Sequence, residues 1–140
     1  MKLDVARVDI WISSMKDTPG SLAGKLAPLA RAGADVDFVF ARRSPEKPGT
    51  GVVFLAPLKG AKQAAAARKA GFKKTKRLAA IRVSGANKPG LGAAVTEALA
   101  DADISLQGFS AHVIGRKFIL HLALDSTADA TKAARVIRKL

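Results

Sequence analysis

The chain has 140 residues, a formal net charge of +13 at pH 7, a hydrophobic content of 49% and no cysteine. This hydrophobic content excludes a disordered chain, and the lack of cysteine excludes disulfides and thiolate chemistry. The longest uncharged apolar runs are as short as strands and no charge-free signal core begins the chain, so we expect a cytoplasmic protein without a membrane span.

The first half of the chain predicts the order strand, helix, strand, strand, helix. Val8, Ile10 and Ile12 alternate with Arg7, Asp9, Trp11 and Ser13, which is typical of a half-buried strand with the first three on one face. Pro28 lies inside the apolar stripe of the first helix, so we expect a kink or a late helix start. The predicted elements are a strand over 7–13, a helix over 22–33, strands over 35–41 and 51–56, a helix over 59–70 and a short strand over 72–75.

The second half predicts the same order with one element fewer. Its hairpin turns at Gly115-Arg116, and Ser126 or Thr127 is a candidate N-cap for the last helix. No fourth strand follows that helix, so the second copy lacks one. The predicted elements are a strand over 78–83, a helix over 91–102, strands over 104–114 and 117–124, and a helix over 127–140.

A four-residue motif occurs twice, 70 residues apart. Asp17-Thr18-Pro19-Gly20 separates the first strand from the first helix, and Asn87-Lys88-Pro89-Gly90 has the same place in the second half. A repeat of this length is too long for a solenoid unit and suits one small α+β domain. The sequence therefore predicts two domains, 1–75 and 76–140, joined by a short linker around 74–77.

The repeated motif, in its context, resembles the ACT domain. The resemblance rests on a strand, [Asp/Asn]-x-Pro-Gly, a helix that begins Ser21-Leu22-Ala23-Gly24, and the following Ala32-Gly33-Ala34-Asp35-Val36, with a second copy from Asn87 through Leu106. It implies an α+β fold of two ferredoxin-like βαββαβ domains in tandem, whose antiparallel sheets carry their helices on one face. It also implies a non-enzymatic regulatory sensor that binds a small effector, usually an amino acid, at the β1–α1 loops and domain interfaces of a homodimer, and that can act on a protein partner.

The resemblance also implies which residues hold the effector: the strand-to-helix loop and a polar residue early in the next strand. These are Asp17, Thr18, Pro19, Gly20, Ser21, Leu22 and Asp35 in the first copy, and Asn87, Lys88, Pro89, Gly90, Leu91 and Ser105 in the second. Glycine permits close approach of the backbone, and a helix N-terminus offers N–H donors to a carboxylate. Asp or Asn before Pro-Gly is also ordinary turn chemistry, so that interpretation stays open. Of the two loops, we favour the one at Asn87.

A basic stretch gives the alternative function. No acidic residue lies between Glu46 and Glu97, and Lys59, Lys62, Lys69 and Lys73 approach helical spacing. A basic surface over 59–82 would suit nucleic acid or an acidic protein partner. Aromatic residues make up 5% of the chain and tyrosine is absent, so the base-stacking platform of an RNA-recognition sheet is not predicted. We therefore rank nucleic-acid binding, or a structural interaction module, second.

Catalytic and cofactor motifs are missing from the sequence. It contains no phosphate-cradling glycine pattern, and its two histidines are too few for a typical triad or metal site. We therefore expect no enzyme, no cofactor and no metal. His112 is predicted to pair with Ile119 across the hairpin, which puts His121 on the same sheet face. Such a pair is usually two half-exposed strand residues, and no neighbouring carboxylate completes a metal-binding set.

Overall fold

A computed structural model describes residues 2–75 and 78–140, so the predicted linker at 74–77 lies partly outside the described residues. The elements are β1 (Asp4–Val8), β2 (Trp11–Lys16), α1 (Ser21–Arg31), β3 (Phe38–Arg43), β4 (Thr50–Ala56), α2 (Gly60–Lys69), β5 (Lys73–Lys74), β6 (Ala79–Ala86), α3 (Leu91–Asp101), β7 (Gly108–Ile114), β8 (Lys117–Leu124) and α4 (Thr127–Arg138).

These elements form two compact units, each with a four-stranded antiparallel sheet and two helices. The first-repeat unit is Asp9–Thr75, with strand order β3-β4-β2-β5. The second-repeat unit combines the described residues up to Val8 with those from 78 onward, and its strand order is β1-β6-β8-β7. The predicted α+β fold with two ferredoxin-like units is confirmed.

The N-terminal strand changes the predicted domain boundary. Residues 7–13 were predicted as one strand of the first copy, but the chain leaves β1 at Val8 and starts β2 at Trp11 in the other sheet. β1 pairs antiparallel with β6, from Asp4 opposite Ser84 to Val8 opposite Ala80. It therefore supplies the fourth strand that the second copy lacks in its own sequence. The boundary 1–75 and 76–140 differs from the structure at this strand.

The core of the second-repeat unit joins one face of its sheet to α3 and α4. Val5 of β1 lies in this core, and the Arg138 guanidinium donates a hydrogen bond to the Val5 carbonyl at 3.0 Å. The Ser126 hydroxyl accepts from the Asp129 amide at 3.0 Å, which confirms Ser126 as the N-cap of α4. The alternation of residues along the hairpin predicts Phe109 and Val113 on the face that the helices cover, but β7 is an edge strand and both side chains are exposed.

The core of the first-repeat unit corrects the predicted face of its first strand. Trp11 and Ser13 of β2 are buried at 4% exposure, whereas Ile12 is partly exposed. The cause is the packing of Trp11 with Leu29, Val53, Leu55, Ala67 and Phe72, with the Arg68 guanidinium 5.4 Å from the centre of its ring. Pro28 lies within α1, which begins at Ser21, so a late helix start was wrong.

At equivalent positions of the two sheets, a glycine lies opposite a large residue, but the strand that carries the glycine differs between the units. Met15 of β2 lies opposite Gly51 of β4, and the equivalent Gly85 of β6 lies opposite Phe118 of β8. A Cβ on Gly51 would lie 2.9 Å from the Arg42 carbonyl oxygen and 3.2 Å from the Met15 methyl carbon. Each pair therefore has room for one large side chain.

We predict that Val5→Ala lowers the free energy of unfolding of the second-repeat unit by about 2 kcal/mol, because it leaves a cavity in that core. Native-state hydrogen exchange should show faster exchange in β6 and β8 than in the wild type. Val39→Ala, at a position 41% exposed, is the matched control and should change stability by less than about 0.5 kcal/mol. A larger loss of protection in β2 and β4 than in β6 would contradict the placement of β1.

We predict opposite effects for two glycine-to-alanine substitutions. Gly51→Ala should destabilise the protein by about 1–3 kcal/mol, since its Cβ meets fixed backbone. Gly24→Ala should stabilise it by about 0.5–1 kcal/mol, because Gly24 lies inside α1 with no atom within 4 Å of the new methyl group. Denaturant unfolding measures both, and a stabilising Gly51→Ala would contradict the packing described.

Candidate functional site

The two strand-to-helix loops have the same backbone geometry. Gly20 and Gly90 take left-handed angles, with φ of 86° and 83°, and each is the N-cap of the helix that follows. Each loop is also held to the neighbouring hairpin. The Asp17 amide donates to the Gly49 carbonyl at 3.0 Å, and the Asn87 amide donates to the Arg116 carbonyl at 2.8 Å. Glycine is required in both loops by the backbone angle, since no atom lies within 4 Å of an added Cβ.

The first turn of each helix supplies backbone donors. Among the described residues, no side chain caps α1 or α3, in contrast to Ser126 at α4. The first N–H groups of a helix have no partner inside the helix, and the helix dipole adds a partial positive charge there. Both loops therefore present a helix end with a partial positive charge.

Side chains of the first loop are engaged with neighbours. The Asp17 carboxylate forms an ion pair with Arg43 at 2.7 Å and does not cap α1. The hydroxyls of Thr18 and Ser21 lie 2.8 Å apart in a hydrogen bond. Asn87, Lys88 and Pro89 of the second loop are exposed, and Leu91 is buried in the core.

The two remaining predicted residues lie at the opposite end of each unit. Asp35 and Ser105 lie in the segments before β3 and β7, because these strands begin at Phe38 and Gly108. The 11 residues of α1 separate Asp35 from the Gly20 loop by about 16 Å. α3 separates Ser105 from the Gly90 loop in the same way. Within one unit, the structure does not bring these residues together with the loop.

A cavity of about 450 Å³ opens beside the first loop, inside the first-repeat unit. Of the predicted site residues, Ser21 lines it. Its other lining residues come from the end of β2, the start of α1 and the β3–β4 hairpin: Ser14, Met15, Lys16, Lys25, Lys47 and Thr50. The lining thus includes three lysines and three residues with hydroxyl groups, near the N-terminal end of α1.

Hydrogen bonds fix the side chain of Lys25 and the backbone of Lys47. The Lys25 ammonium donates to the Ala70 carbonyl at 2.6 Å, at the C-terminal end of α2, and lies 5.9 Å from the centre of the Phe72 ring. A helix C-terminus favours a cation, so this contact fixes the side chain. The backbone at Lys47 is fixed by the hairpin loop, where its amide donates to the Ser44 carbonyl and its carbonyl accepts from the Thr50 amide and hydroxyl.

Sequence reasoning missed the lysines of this cavity. The signal was the comparison of the two repeats at the same positions. Lys25 stands where the second copy has Val95, and Ser21 stands where it has Leu91. Val95 and Leu91 are buried at 0% and 5% exposure in the core of the second-repeat unit. A lysine at a position that is a core valine in the other copy marks a local difference in chemistry.

The remaining candidates from the sequence are the two histidines and the basic stretch over 59–82. His112 pairs with Ile119 as predicted, and His121 lies opposite Ser110. Within residues 2–75 and 78–140, no group of three or more metal-ligating side chains comes together. In the basic stretch, Lys59, Lys62 and Lys69 are exposed around α2, while Lys73 lies on β5 rather than on the helix.

Comparisons with known proteins agree with this fold. Residues 77–140 match the family model of the ACT domain. The structure is similar to protein BT0572 from Bacteroides thetaiotaomicron, with a TM-score of 0.77, 12% identity, and coverage of 97% of this chain and 99% of that one.

Two further similar structures are regulatory subunits of aspartate kinase. The one from Thermus thermophilus, in a ligand-free form, has a TM-score of 0.68 and 15% identity over 99% of this chain and 97% of that one. The one from Thermus flavus has a TM-score of 0.64 and 15% identity over 99% and 96%. At these identities the likeness shows the fold alone. No curated protein matches the chain.

Among the described residues, no helix has both the length and the apolar character needed to cross a membrane.

Proposed function

We propose that this protein is a non-enzymatic regulatory sensor in which both repeats are ACT domains and at least one strand-to-helix loop binds a small effector, an amino acid. The observation that carries the proposal is the glycine at φ near +85° before an uncapped helix, which occurs in both repeats. An α-carboxylate suits the N–H donors of that first turn. We place the protein in the cytoplasm, where it reports effector level to a protein partner.

Three findings support this proposal. Residues 77–140 match the ACT domain, and the whole chain has the fold of aspartate kinase regulatory subunits. The cavity at the first loop has the size of a small-molecule site, since such sites measure about 300–1,000 Å³. The proposed contacts are the loop residues Asp17 to Leu22 and Asn87 to Leu91, and the lysines around the first loop join them.

We predict that at least one amino acid raises the melting temperature by about 10 °C when present at about 100 times its dissociation constant. Binding to the folded state alone adds roughly 2.7 kcal/mol of stability at that concentration, and a chain of this size converts it to such a shift. A thermal-shift screen of the common amino acids measures it.

Loop variants then locate the site. Gly20→Ala or Gly90→Ala, with Asn87→Ala for the second loop, should reduce the shift, because a methyl group stands where the effector approaches the backbone. Gly60→Ala is the matched control, since Gly60 also has a positive φ and open space around its Cβ. A shift that survives changes in both loops would place the effector elsewhere.

We propose a homodimer formed through β7. β1 pairs with the edge of β6 that was expected to be open, so the sheet of the second-repeat unit has β1 at one edge and β7 at the other. β7 exposes large apolar side chains, among them Val113 at 57% and Ile114 at 68%. An exposed apolar edge strand is a template for pairing with another chain, and natural proteins usually cover it.

We predict that light scattering gives a dimer mass at tens of micromolar protein. Val113→Lys together with Ile114→Lys should shift the mass toward the monomer, because charges on an edge strand oppose pairing. Thr131→Lys, on the exposed side of α4, is the control and should leave the mass unchanged. A monomer mass for the wild type, with and without effector, would contradict the proposal.

A further inference from the structure

We infer that the effector of the first repeat is a small molecule with at least two anionic groups, a dicarboxylate or a phosphorylated compound, held by Lys16, Lys25 and Lys47. This inference rests on the proposed function, because it takes the Gly20 loop as a ligand site and names the ligand's chemical class. It assigns this site to the first loop, whereas the sequence favoured the loop at Asn87.

The first argument is the charge of the cavity. Three of its seven lining residues are lysines, and among the residues that the structure describes none of the seven is acidic. Asp17, the acid next to Lys16 in sequence, forms its ion pair with Arg43. Among the described ion pairs, none involves Lys16, Lys25 or Lys47. A concave site lined by one sign of charge concentrates ligands of the opposite sign.

The second argument is hydrogen-bonding capacity. An ammonium has three donors, and Lys25 uses one of them on the Ala70 carbonyl. The Ser14 hydroxyl lines the same cavity, and the first-turn amides of α1 that follow Ser21 add further donors, while the Ser21 amide and hydroxyl bond to Thr18. Carboxylate and phosphate oxygens accept several such bonds at once. An effector with a single carboxylate would leave most of these donors unused.

The third argument is the match between ligand charge and site. A neutral amino acid brings its own ammonium, and the lining offers that group no carboxylate. An additional carboxylate or phosphate makes the net charge of the ligand negative and pairs with the lysines. The site therefore favours an acidic compound over its neutral analogue.

The fourth argument is the contrast between the repeats. At the positions of Lys25, Ser21 and Lys16 the second copy has Val95, Leu91 and Ala86. Lys47 has no counterpart, because the β7–β8 hairpin turns through Gly115-Arg116 where the first copy has the longer 44–49 loop. The loop backbone is shared, so the cationic lining distinguishes the first repeat from the second.

The experiment uses the full chain and ligand pairs that differ by one anionic group. Calorimetric titration compares L-glutamate with L-glutamine and O-phospho-L-serine with L-serine, which separates the carboxylate from the phosphate source. Succinate and inorganic phosphate test anions without an amino group. The variants are Lys16→Gln with Lys47→Gln, and the control Lys62→Gln with Lys69→Gln on α2, which lowers the net charge equally outside the cavity.

We expect one acidic probe to bind at least about tenfold more tightly than its neutral partner, since a hydrogen bond to a charged group contributes about 1.5–3 kcal/mol. The Lys16/Lys47 variant should lose that advantage and the Lys62/Lys69 control should keep it. Binding of succinate or phosphate with the same lysine dependence, but of no amino acid, would uphold this inference and overturn the amino-acid effector.

Other results overturn the inference. Equal binding of glutamate and glutamine that is indifferent to Lys16 and Lys47 would do so while leaving the proposed function intact. An equal loss in both double variants would show an effect of net charge rather than of the cavity. If none of these probes binds, the anionic ligand class is wrong, and the amino-acid screen alone decides the proposed function.

Discussion

The pairing of β1 with β6 is the constraint on which the arrangement of the chain depends. A sheet of β6, β8 and β7 alone would leave the inner edge of β6 unpaired and the core without Val5. The N-terminal strand fills that edge, and Arg138 of the last helix holds its backbone. Because β1 is used there, the first repeat starts its own sheet at Trp11 and completes it with the two-residue strand β5.

Both repeats then present the same loop with different chemistry around it. The left-handed glycine, the hydrogen bond to the hairpin and the uncapped helix are common to both. In the second repeat the adjoining positions are closed by Leu91 and Val95, whereas in the first they are Ser21 and Lys25 beside a cavity. The loop backbone is thus common to both repeats, and the side chains around it differ. Under the proposed function, the shared backbone supplies the ligand site and these side chains set its specificity in the first repeat, while the second repeat uses the same positions for packing.

Local patterns predicted most of the fold. The ungapped repeat, the glycine-marked loops, the Gly115-Arg116 hairpin and the Ser126 cap depend on neighbouring residues, so the sequence alone indicates them. The placement of β1 depends on pairing between residues some 75 positions apart, which alternation around Val8 does not reveal. The prediction of which face of β2 is buried was wrong, because the alternating pattern relied on two isoleucines and discounted Trp11. At the site, the loops were predicted, but Lys25 and Lys47 come from a helix and a hairpin that meet only in the folded unit.

The most direct test of the account is a map of the binding site by amide chemical shifts. A ¹⁵N-labelled sample is titrated with the tightest compound from the ligand experiments. The account predicts that the changes concentrate at the end of β2, the first turn of α1 and the hairpin loop around Lys47, and that they saturate together. Changes concentrated on α2 and β5, or none in the segment from Lys16 to Lys25, would contradict it.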